Sequence, residues 1–279
     1  MISNQFYSGS IEYDFWSAPT GKIFTAIHSP KNGQKKCIIV LLNPIFEERS
    51  RSHRYLYNWS RYLAYHGYMV IRFDYIGQGD SDGDSDKLTL KGQLDTLAFV
   101  IEYVKKHLPS YKIGIHGLRW GASVAKLFTI QNPVDHLVLW EPILDGRDYL
   151  MKALRMNLAT QLIIYKRVVE DRKALVGKLE AGQAVNIDGY HLSPDLWKQS
   201  DMIDLKESIC NMPTLLYKFG LSKSKIECKS GEMVEDKSSQ QNMTLVESVV
   251  DQFYLEIKTY TNYNEELFNS TLHWIENYE

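Results

Sequence analysis

The sequence predicts an α/β protein built on a doubly wound, mostly parallel sheet. Short apolar runs alternate with amphipathic helical segments through roughly the first half of the chain. Runs such as CIIVLL are continuously apolar, which is typical of strands covered on both faces by helices. The alternation predicts parallel strands joined by right-handed crossovers. A length of 279 residues suits one such domain, with or without an insertion.

A hairpin opens the predicted order of elements, with strands SIEYDFW and KIFTAIHSP joined through SAPTGK. The central strands are KKCIIVLLN, YMVIRFDY, KIGIHG and HLVLWEP. The helices between them are predicted over residues 55–66, 90–108 and 120–131. Gly67 is a natural stop for the first of these helices, and Pro109 ends the second.

The strand–helix rhythm breaks after Pro142. Residues 145–206 are helical and charged in pattern, which predicts a cap inserted into a core made of residues 1–144 and 207–279. The runs MPTLLYKFG and DQFYLEIKTY are predicted to resume the sheet before a final helix. An apolar stripe at helical spacing is expected to pack the cap against the sheet. It consists of Tyr149, Leu150, Leu154, Leu158, Leu162, Tyr165 and Val169.

Nothing in the overall composition points to nucleic acid or a membrane surface, and the predicted partner is a small-molecule ligand. The net charge is −2, and the longest apolar run is too short to span a bilayer. The start, MISNQFYSGSIEYDFW, has no signal-peptide pattern, so a cytoplasmic location is predicted. Cys37, Cys210 and Cys228 form no C-x-x-C pair. No metal or other cofactor is predicted, because the sequence has no H-E-x-x-H pair and no Walker loop. The oligomeric state is left open.

The stretch IGIHGLRWGAS carries the most informative motif, a G-x-R-x-G pattern over residues 117–121. It follows a predicted strand and opens a predicted helix, which is the context of the nucleophile elbow in serine hydrolases. Arg119 stands where those enzymes carry their serine. A guanidinium stays protonated and cannot act as a nucleophile.

GYMVIRFDYIGQGDSDG and GLRWGA resemble the corresponding segments of α/β hydrolases. More narrowly, NPIFEERSRS, LWEPILDGRDYL and GQAVNIDGYHLS look like the exosortase-system-associated hydrolases, a bacterial branch near the serine aminopeptidase group. The resemblance covers about residues 20–278. It implies an α/β-hydrolase fold and, for the branch, an exopolysaccharide-linked pathway.

The other triad positions depart from the hydrolase pattern as well. The acid usually follows the strand TLLYKFG, but the chain continues LSKSKIE without an aspartate. The base usually follows the last strand, and TYTNYNEE contains no histidine. His273 lies further on and is expected to be a surface residue of the last helix. Ordinary serine-hydrolase chemistry is therefore not expected.

A cation at a helix N-terminus is electrostatically unfavourable, so Arg119 should have an acidic partner. Glu141 ends the neighbouring predicted strand and is the candidate. Two interpretations stay open: a purely structural ion pair, or an arginine fork that Glu141 holds toward an anionic ligand.

Two predicted loops border the same crevice. EERSRSHR would add Arg49, Arg51, His53 and Arg54 either as solvated charge or as ligand contacts. GQGDSDGDSD has aspartates at alternate positions but lacks the glycine and the closing glutamate of a calcium loop, so it is expected to be a tight turn.

Two functional hypotheses follow, with a third behind them. The first is an enzyme acting on a small ester, thioester or amide without a serine acyl-enzyme. Arg119 would orient an anionic substrate, while backbone N–H groups at Trp120 and near Pro44–Ile45 would stabilise an oxyanion. The second is a binding module or pseudoenzyme that kept the pocket. The third is a cofactor-free lyase or decarboxylase.

Overall fold

The computed structural model describes residues 9–31, 33, 35–205, 211–220, 242–250, 252–255 and 263–278. Within these ranges, eight strands form one sheet in the order β1-β2-β4-β3-β5-β6-β9-β10. The pairs β1–β2 and β2–β4 are antiparallel and the other pairs are parallel, which confirms the predicted fold class. The strands are β1 (Ser10–Ala18), β2 (Gly21–Ser29), β3 (Ile38–Leu42), β4 (Met69–Phe73), β5 (Ile113–Leu118), β6 (His136–Trp140), β9 (Thr214–Gly220) and β10 (Met243–Val249).

Helices cover both faces of the sheet, as the apolar strands require. Ile38 and Val40 pack into one hydrophobic cluster with α2 and α3, while Ile39 and Leu41 pack into the other with α1 and α7. These helices are α1 (Phe46–Tyr65), α2 (Leu90–His107), α3 (Trp120–Thr129) and α7 (Glu265–Glu276). None of the helices in the described ranges is long and apolar enough to cross a bilayer.

In the described part of the segment between β6 and β9 there are three α-helices, a small hairpin and a 3₁₀ turn at Ser200–Met202. Side chains from its helices and from the hairpin join the same cluster as α2 and α3. The sequence did not predict the hairpin, whose strands have three residues each. The division into a core and a cap at residues 145–206 stays a proposal. The elements are α4 (Gly146–Tyr165), α5 (Arg172–Glu180), β7 (Val185–Ile187), β8 (Tyr190–Leu192) and α6 (Pro194–Gln199).

The stretch EERSRSHR was predicted to be a loop, but it forms the first two turns of α1. Glu47 and Glu48 lie in the first turn, where the helix dipole favours negative charge. Arg51 then pairs with Glu47 one turn away at 2.7 Å. The helix therefore begins at Phe46, well before residue 55, the predicted start.

Within the described part of the run DQFYLEIKTY, residues 252–255, the prediction of a strand was wrong. The strand β10 lies upstream of DQFYLEIKTY, and within that run Phe253 and Tyr254 lie in a turn. Both rings are buried, and Phe253 stacks on Tyr55 with ring centroids 3.7 Å apart. Phe253, one of the aromatic residues that suggested a strand, therefore packs between α1 and Phe219 of β9. Residues 256–262 lie outside the described ranges.

Candidate active site

Arg119 occupies a tight turn between β5 and α3. Its backbone has φ 55° and ψ −120°, a conformation that L-residues rarely adopt. The flanking glycines are required by close packing. A Cβ on Gly117 would lie 2.4 Å from the Cα of Ala122, and one on Gly121 would lie 2.5 Å from the carbonyl oxygen of Asn43. The G-x-R-x-G motif thus forms a strained elbow that presents the Arg119 side chain at the carboxyl end of the sheet.

Glu48 is the partner of Arg119. The Nη2 atom of Arg119 lies 3.2 Å from Oε1 of Glu48, and Nε donates to both carboxylate oxygens at 3.3 and 3.4 Å. The side chains are 15% and 12% exposed, respectively, so water screens the pair weakly. The guanidinium also lies over two tyrosine rings, 4.6 Å from the centroid of Tyr254 and 5.8 Å from that of Tyr149.

Burial and pairing shift the pKa values of this group of residues. Burial raises the pKa of Glu48, although the charge of Arg119 and hydrogen bonds from Arg119 and Tyr149 oppose the shift. Burial alone would lower the pKa of Arg119, but Glu48 and the two tyrosines raise it above its ordinary value. Burial also raises the pKa of both tyrosines. Arg119 is therefore a permanent cation inside a ring of neutral phenols and one carboxyl group.

The predicted Arg119–Glu141 ion pair is not present among the described residues. The Glu141 carboxylate instead accepts the backbone N–H of Phe219 at 2.5 Å, which ties the end of β6 to β9. The residue has φ 47°, and its own N–H donates to the carbonyl of Tyr217. Glu141 therefore acts as a clamp between two strand ends, while α1 brings Glu48 to the guanidinium.

Of the predicted oxyanion donors, the amide of Trp120 is at the first position of α3, where an N–H has no partner within the helix. Its indole is buried and donates to Gln93 at 2.9 Å. Pro44 has no N–H to offer. Any donor from this side must come from Ile45, the N-cap of α1, or from Phe46, which has φ 54°.

The predicted arginines of the crevice mouth are already engaged. Arg49 pairs with the buried Asp74 at 2.6 Å, and Arg51 pairs with Glu47. Arg54 lies over the ring of Tyr57, 5.1 Å from its centroid. These contacts stabilise α1 and its neighbourhood, so Arg119 is the cation that the fold holds at the elbow.

The two serines that could replace the missing nucleophile, Ser123 and Ser81, are held by hydrogen bonds to the backbone. Ser123 accepts the backbone N–H of Ile143 at 2.8 Å and donates to the carbonyl of the same residue at 2.7 Å. Ser81 donates to the carbonyl of Asp74 and accepts the N–H of Phe24. Asp82 likewise binds the N–H of Lys22 at 2.7 Å. The GQGDSDGDSD segment is therefore a turn latched onto β2, as expected.

All eight histidines lie in the described ranges, and none of them is within ion-pair distance of a described carboxylate. His116 and His136 are buried in strands, and His273 is an exposed residue of α7, as predicted. No cluster of ligands for a metal ion is found in the part of the chain that is described. The segment LSKSKIE and residues 259–262 of TYTNYNEE lie outside the described ranges.

Comparison with known proteins agrees with the fold. Residues 21–172 match the family model described as X-Pro dipeptidyl-peptidase (S15 family). The chain belongs to this family. Its members are α/β hydrolases, which agrees with the observed sheet. No curated protein sequence matches the chain significantly.

Several solved structures share the fold. Est1E from Butyrivibrio proteoclasticus, solved with ferulic acid, is 17% identical over 94% of this chain and 99% of its own, with a TM-score of 0.62. The Pyrococcus furiosus esterase Pf2001 is 16% identical over 100% and 94%, with a TM-score of 0.63. An alpha-beta serine hydrolase homologue from Coxiella burnetii is 14% identical over 96% and 97%, with a TM-score of 0.55. Identities this low establish the fold alone.

Sequence reasoning missed Glu48, Tyr149 and Tyr254. The acidic pair Glu47–Glu48 is a helix-start signal that could have placed Glu48 on α1, one turn from the strand end. Tyr149 was assigned to a packing stripe, and it also contacts Arg119. Tyr254 was assigned to a strand, and no local pattern indicates that a turn carries its ring to the guanidinium.

Proposed function

We propose that the protein binds a small anionic ligand of the ester, thioester or amide class at Arg119, without forming a serine acyl-enzyme. The observation that carries this proposal is the orientation of the guanidinium. Glu48 takes hydrogen bonds from the Nε and Nη2 edge, and among the described residues no acceptor is found for Nη1. An arginine can bind two carboxylates on different edges of its planar fork.

The surroundings support an anionic ligand. The cation is pre-oriented by Glu48 and by two aromatic rings, so little side-chain entropy is lost on binding. The site lies beside the first turn of α3, where unpaired N–H groups favour negative charge. Because Glu48 neutralises part of the charge, we expect selectivity for the anion rather than very tight binding.

Hydrolysis by water is a second candidate. The amide of Trp120 lies next to Arg119 at the first position of α3, and it would serve as one oxyanion donor. The raised pKa of Glu48 makes its carboxylate a stronger base than an ordinary glutamate. If ligands bind and no ester is consumed, the protein is instead the binding module or pseudoenzyme.

The narrower resemblance to exosortase-system-associated hydrolases, with its exopolysaccharide-linked pathway, is kept as a proposal about the branch. A cytoplasmic location belongs to the same proposal.

A thermal-shift panel tests ligand binding. Benzoate, hexanoate and inorganic phosphate are compared with the methyl esters of the two acids, on the parent protein and on the Arg119→Met variant. We expect the anions, and not the methyl esters, to raise the Tm of the parent. The shift should shrink as salt is added, because the screening length falls to ~3 Å at 1 M ionic strength.

The control variant is Glu48→Gln/Arg119→Met. It removes both charges, so no nearly buried carboxylate is left without its counter-charge. Both Arg119→Met proteins should lose the response to anions, each measured against its own unliganded Tm. An equal response of the parent and of these variants to anions would remove Arg119 from the ligand site. The methyl esters, followed by mass spectrometry, separate hydrolysis from binding.

A further inference from the structure

The C-terminal end of α4 carries a large exposed apolar patch, called the α4 tip below. The predicted packing stripe is buried or half-buried only up to Leu158, and beyond that residue its members are exposed. The exposed fractions in the tip run from 42% to 72%. Contiguous apolar surface of this kind marks an interaction site. The tip consists of Leu162, Ile163, Ile164, Tyr165, Val168 and Val169.

The last turn of α4 projects from the body of the protein. Successive helix residues point about 100° apart, so the four residues 162–165 cover the whole circumference of one turn. All four are exposed, which a helix lying flat on the core would not permit. Lys166 then ends the helix in the left-handed conformation, with φ 58°. A partner must therefore surround this turn rather than cover one face of it.

The tip lies in a basic segment. No acidic residue occurs from Tyr149 to Val169, although the chain as a whole has a net charge of −2. Lys166 and Arg167 are exposed between the apolar residues of the tip, and Arg155 is exposed nearer the start of the same helix. Glu170 and Asp171 follow the tip, and Glu170 pairs with Lys178. An apolar tip that itself carries Lys166 and Arg167 is complementary to a surface that is apolar below and negative above.

We propose that the α4 tip inserts into the headgroup region of an anionic lipid surface. Lipid can surround a projecting turn on all sides, and Tyr165 has the amphipathic ring that favours the membrane interface. A second copy of the chain would fit less well. In a two-fold interface, Lys166 and Arg167 of each copy would approach the same cations of the other.

The helix also connects this surface with the candidate active site. Tyr149, in the first turn of α4, lies beside Arg119, and the tip lies about 24 Å further along the helix axis. Lipid binding at the tip does not depend on a ligand at Arg119, so the two proposals stand or fall separately.

Co-sedimentation with vesicles tests the proposal. The full chain is mixed with vesicles of phosphatidylcholine alone or of phosphatidylcholine with phosphatidylglycerol. We expect binding to the anionic vesicles only, weakened by added salt. Ile163→Ser/Ile164→Ser should reduce the partition coefficient by about tenfold or more, because two exposed isoleucines no longer enter the interface. Lys166→Gln/Arg167→Gln should reduce it by about fivefold for each cation.

Matched controls separate a local effect from a general one. Ile130→Ser replaces another exposed isoleucine, 52% accessible, and Lys105→Gln/Lys106→Gln replaces an exposed basic pair on α2. Both controls should bind like the parent protein. The proposal is overturned if anionic vesicles are not bound, or if the controls weaken binding as much as the tip variants. It is also overturned if the tip variants abolish a dimer that forms without lipid, since the tip would then contact a second copy.

Discussion

Glu48 and Arg119 lie 71 residues apart in the sequence, and their side chains meet where two helices begin. Glu48 is in the first turn of α1, where the helix dipole favours its charge. Arg119 precedes the first turn of α3, where the dipole disfavours a cation. The pair therefore offsets the one unfavourable charge of the elbow with a carboxylate that is already well placed.

Removing either member of this pair should lower the free energy of unfolding. Removing both should lower it by less than the sum of the two single effects. Glu48→Gln leaves a nearly buried cation without its counter-charge, and Arg119→Met leaves a nearly buried carboxyl group. We expect each single change to lower the free energy of unfolding by about 3–5 kcal/mol. Urea unfolding of the two single variants and the double variant measures the coupling as a double-mutant cycle.

Glu141→Gln serves as the comparison, because Glu141 bonds to Phe219 and not to the guanidinium. Its effect should add to that of Arg119→Met within about 0.5 kcal/mol. The pairing described above is wrong if the effects of the Glu48 and Arg119 substitutions on the free energy of unfolding are additive while those of the Glu141 and Arg119 substitutions are coupled.

The sheet was predictable because its strands repeat one local signal, a continuous apolar run between helical patterns, and that signal is strong when both faces are buried. The elbow at Arg119 was predictable for a similar reason, since two glycines frame a position that no other pattern explains. The partner of Arg119 was not predictable. The end of strand β6 suggested Glu141, but three-dimensional packing decides which of several carboxylates reaches a guanidinium.

The misplaced last strand has the same origin. Phe253 and Tyr254 have high β propensity, and their rings are indeed buried, but they are buried from a turn. Burial of an aromatic side chain constrains the ring and leaves the backbone free to be irregular. The strand β10, MTLVESV, lies at the sheet edge and has no aromatic residue, so it gave the weaker signal.

Gly121→Ala should be strongly destabilising. The added Cβ would meet backbone atoms of Leu42 and Asn43 at 2.7 and 2.5 Å, and neither contact can be relieved by rotating a side chain. We expect a loss of more than about 2 kcal/mol, because overpacking against backbone shifts the elbow itself. Thermal and urea unfolding provide the measurement.

Gly177→Ala is the matched control, since that glycine lies in α5 and a Cβ there meets nothing within 4 Å. Alanine has the higher helix propensity, so this change should stabilise the protein by up to about 1 kcal/mol. Similar destabilisation by both substitutions would show that the close approach at Gly121 is not the cause.

A fluorophosphonate probe should leave the protein unlabelled. The reagent needs an activated serine, and Ser81 and Ser123 are both buried and hydrogen-bonded to the backbone. Arg119→Ser should also stay unlabelled, because no histidine of the chain pairs with a described carboxylate to form a base. Intact-mass spectrometry beside a conventional serine esterase is the assay. Stoichiometric labelling of Ser81 or Ser123 would point to a relocated nucleophile.

Stability should fall as the pH drops below 6.5, and buried histidines should account for part of the loss. Burial, with the nearby cations Arg72 and Arg61, lowers the pKa of His28 to about 3, and burial lowers the pKa of His136 to about 4. In the unfolded chain both groups bind a proton near pH 6.5, so below that value the unfolded state takes up protons that the folded state excludes. Their contribution is therefore complete above pH 6.5 and is lost progressively as the pH falls toward 4 and then 3.

Urea unfolding of His28→Gln and His136→Gln between pH 7 and pH 4 tests this origin. In this range the unfolded chain takes up protons that the lowered pKa of each histidine excludes from the folded state. Each variant should be less stable than the parent at neutral pH, and its stability should fall less steeply with acidification, since about 1.4 kcal/mol is at stake for each unit of pKa shift. The raised pKa of Glu48 acts in the opposite direction, lowering stability as the pH rises above 4.5, and it is common to all these proteins. His273→Gln changes an exposed histidine on α7 and should keep the slope of the parent. Equal slopes in all four proteins would mean that acid destabilisation comes from the carboxyl groups alone.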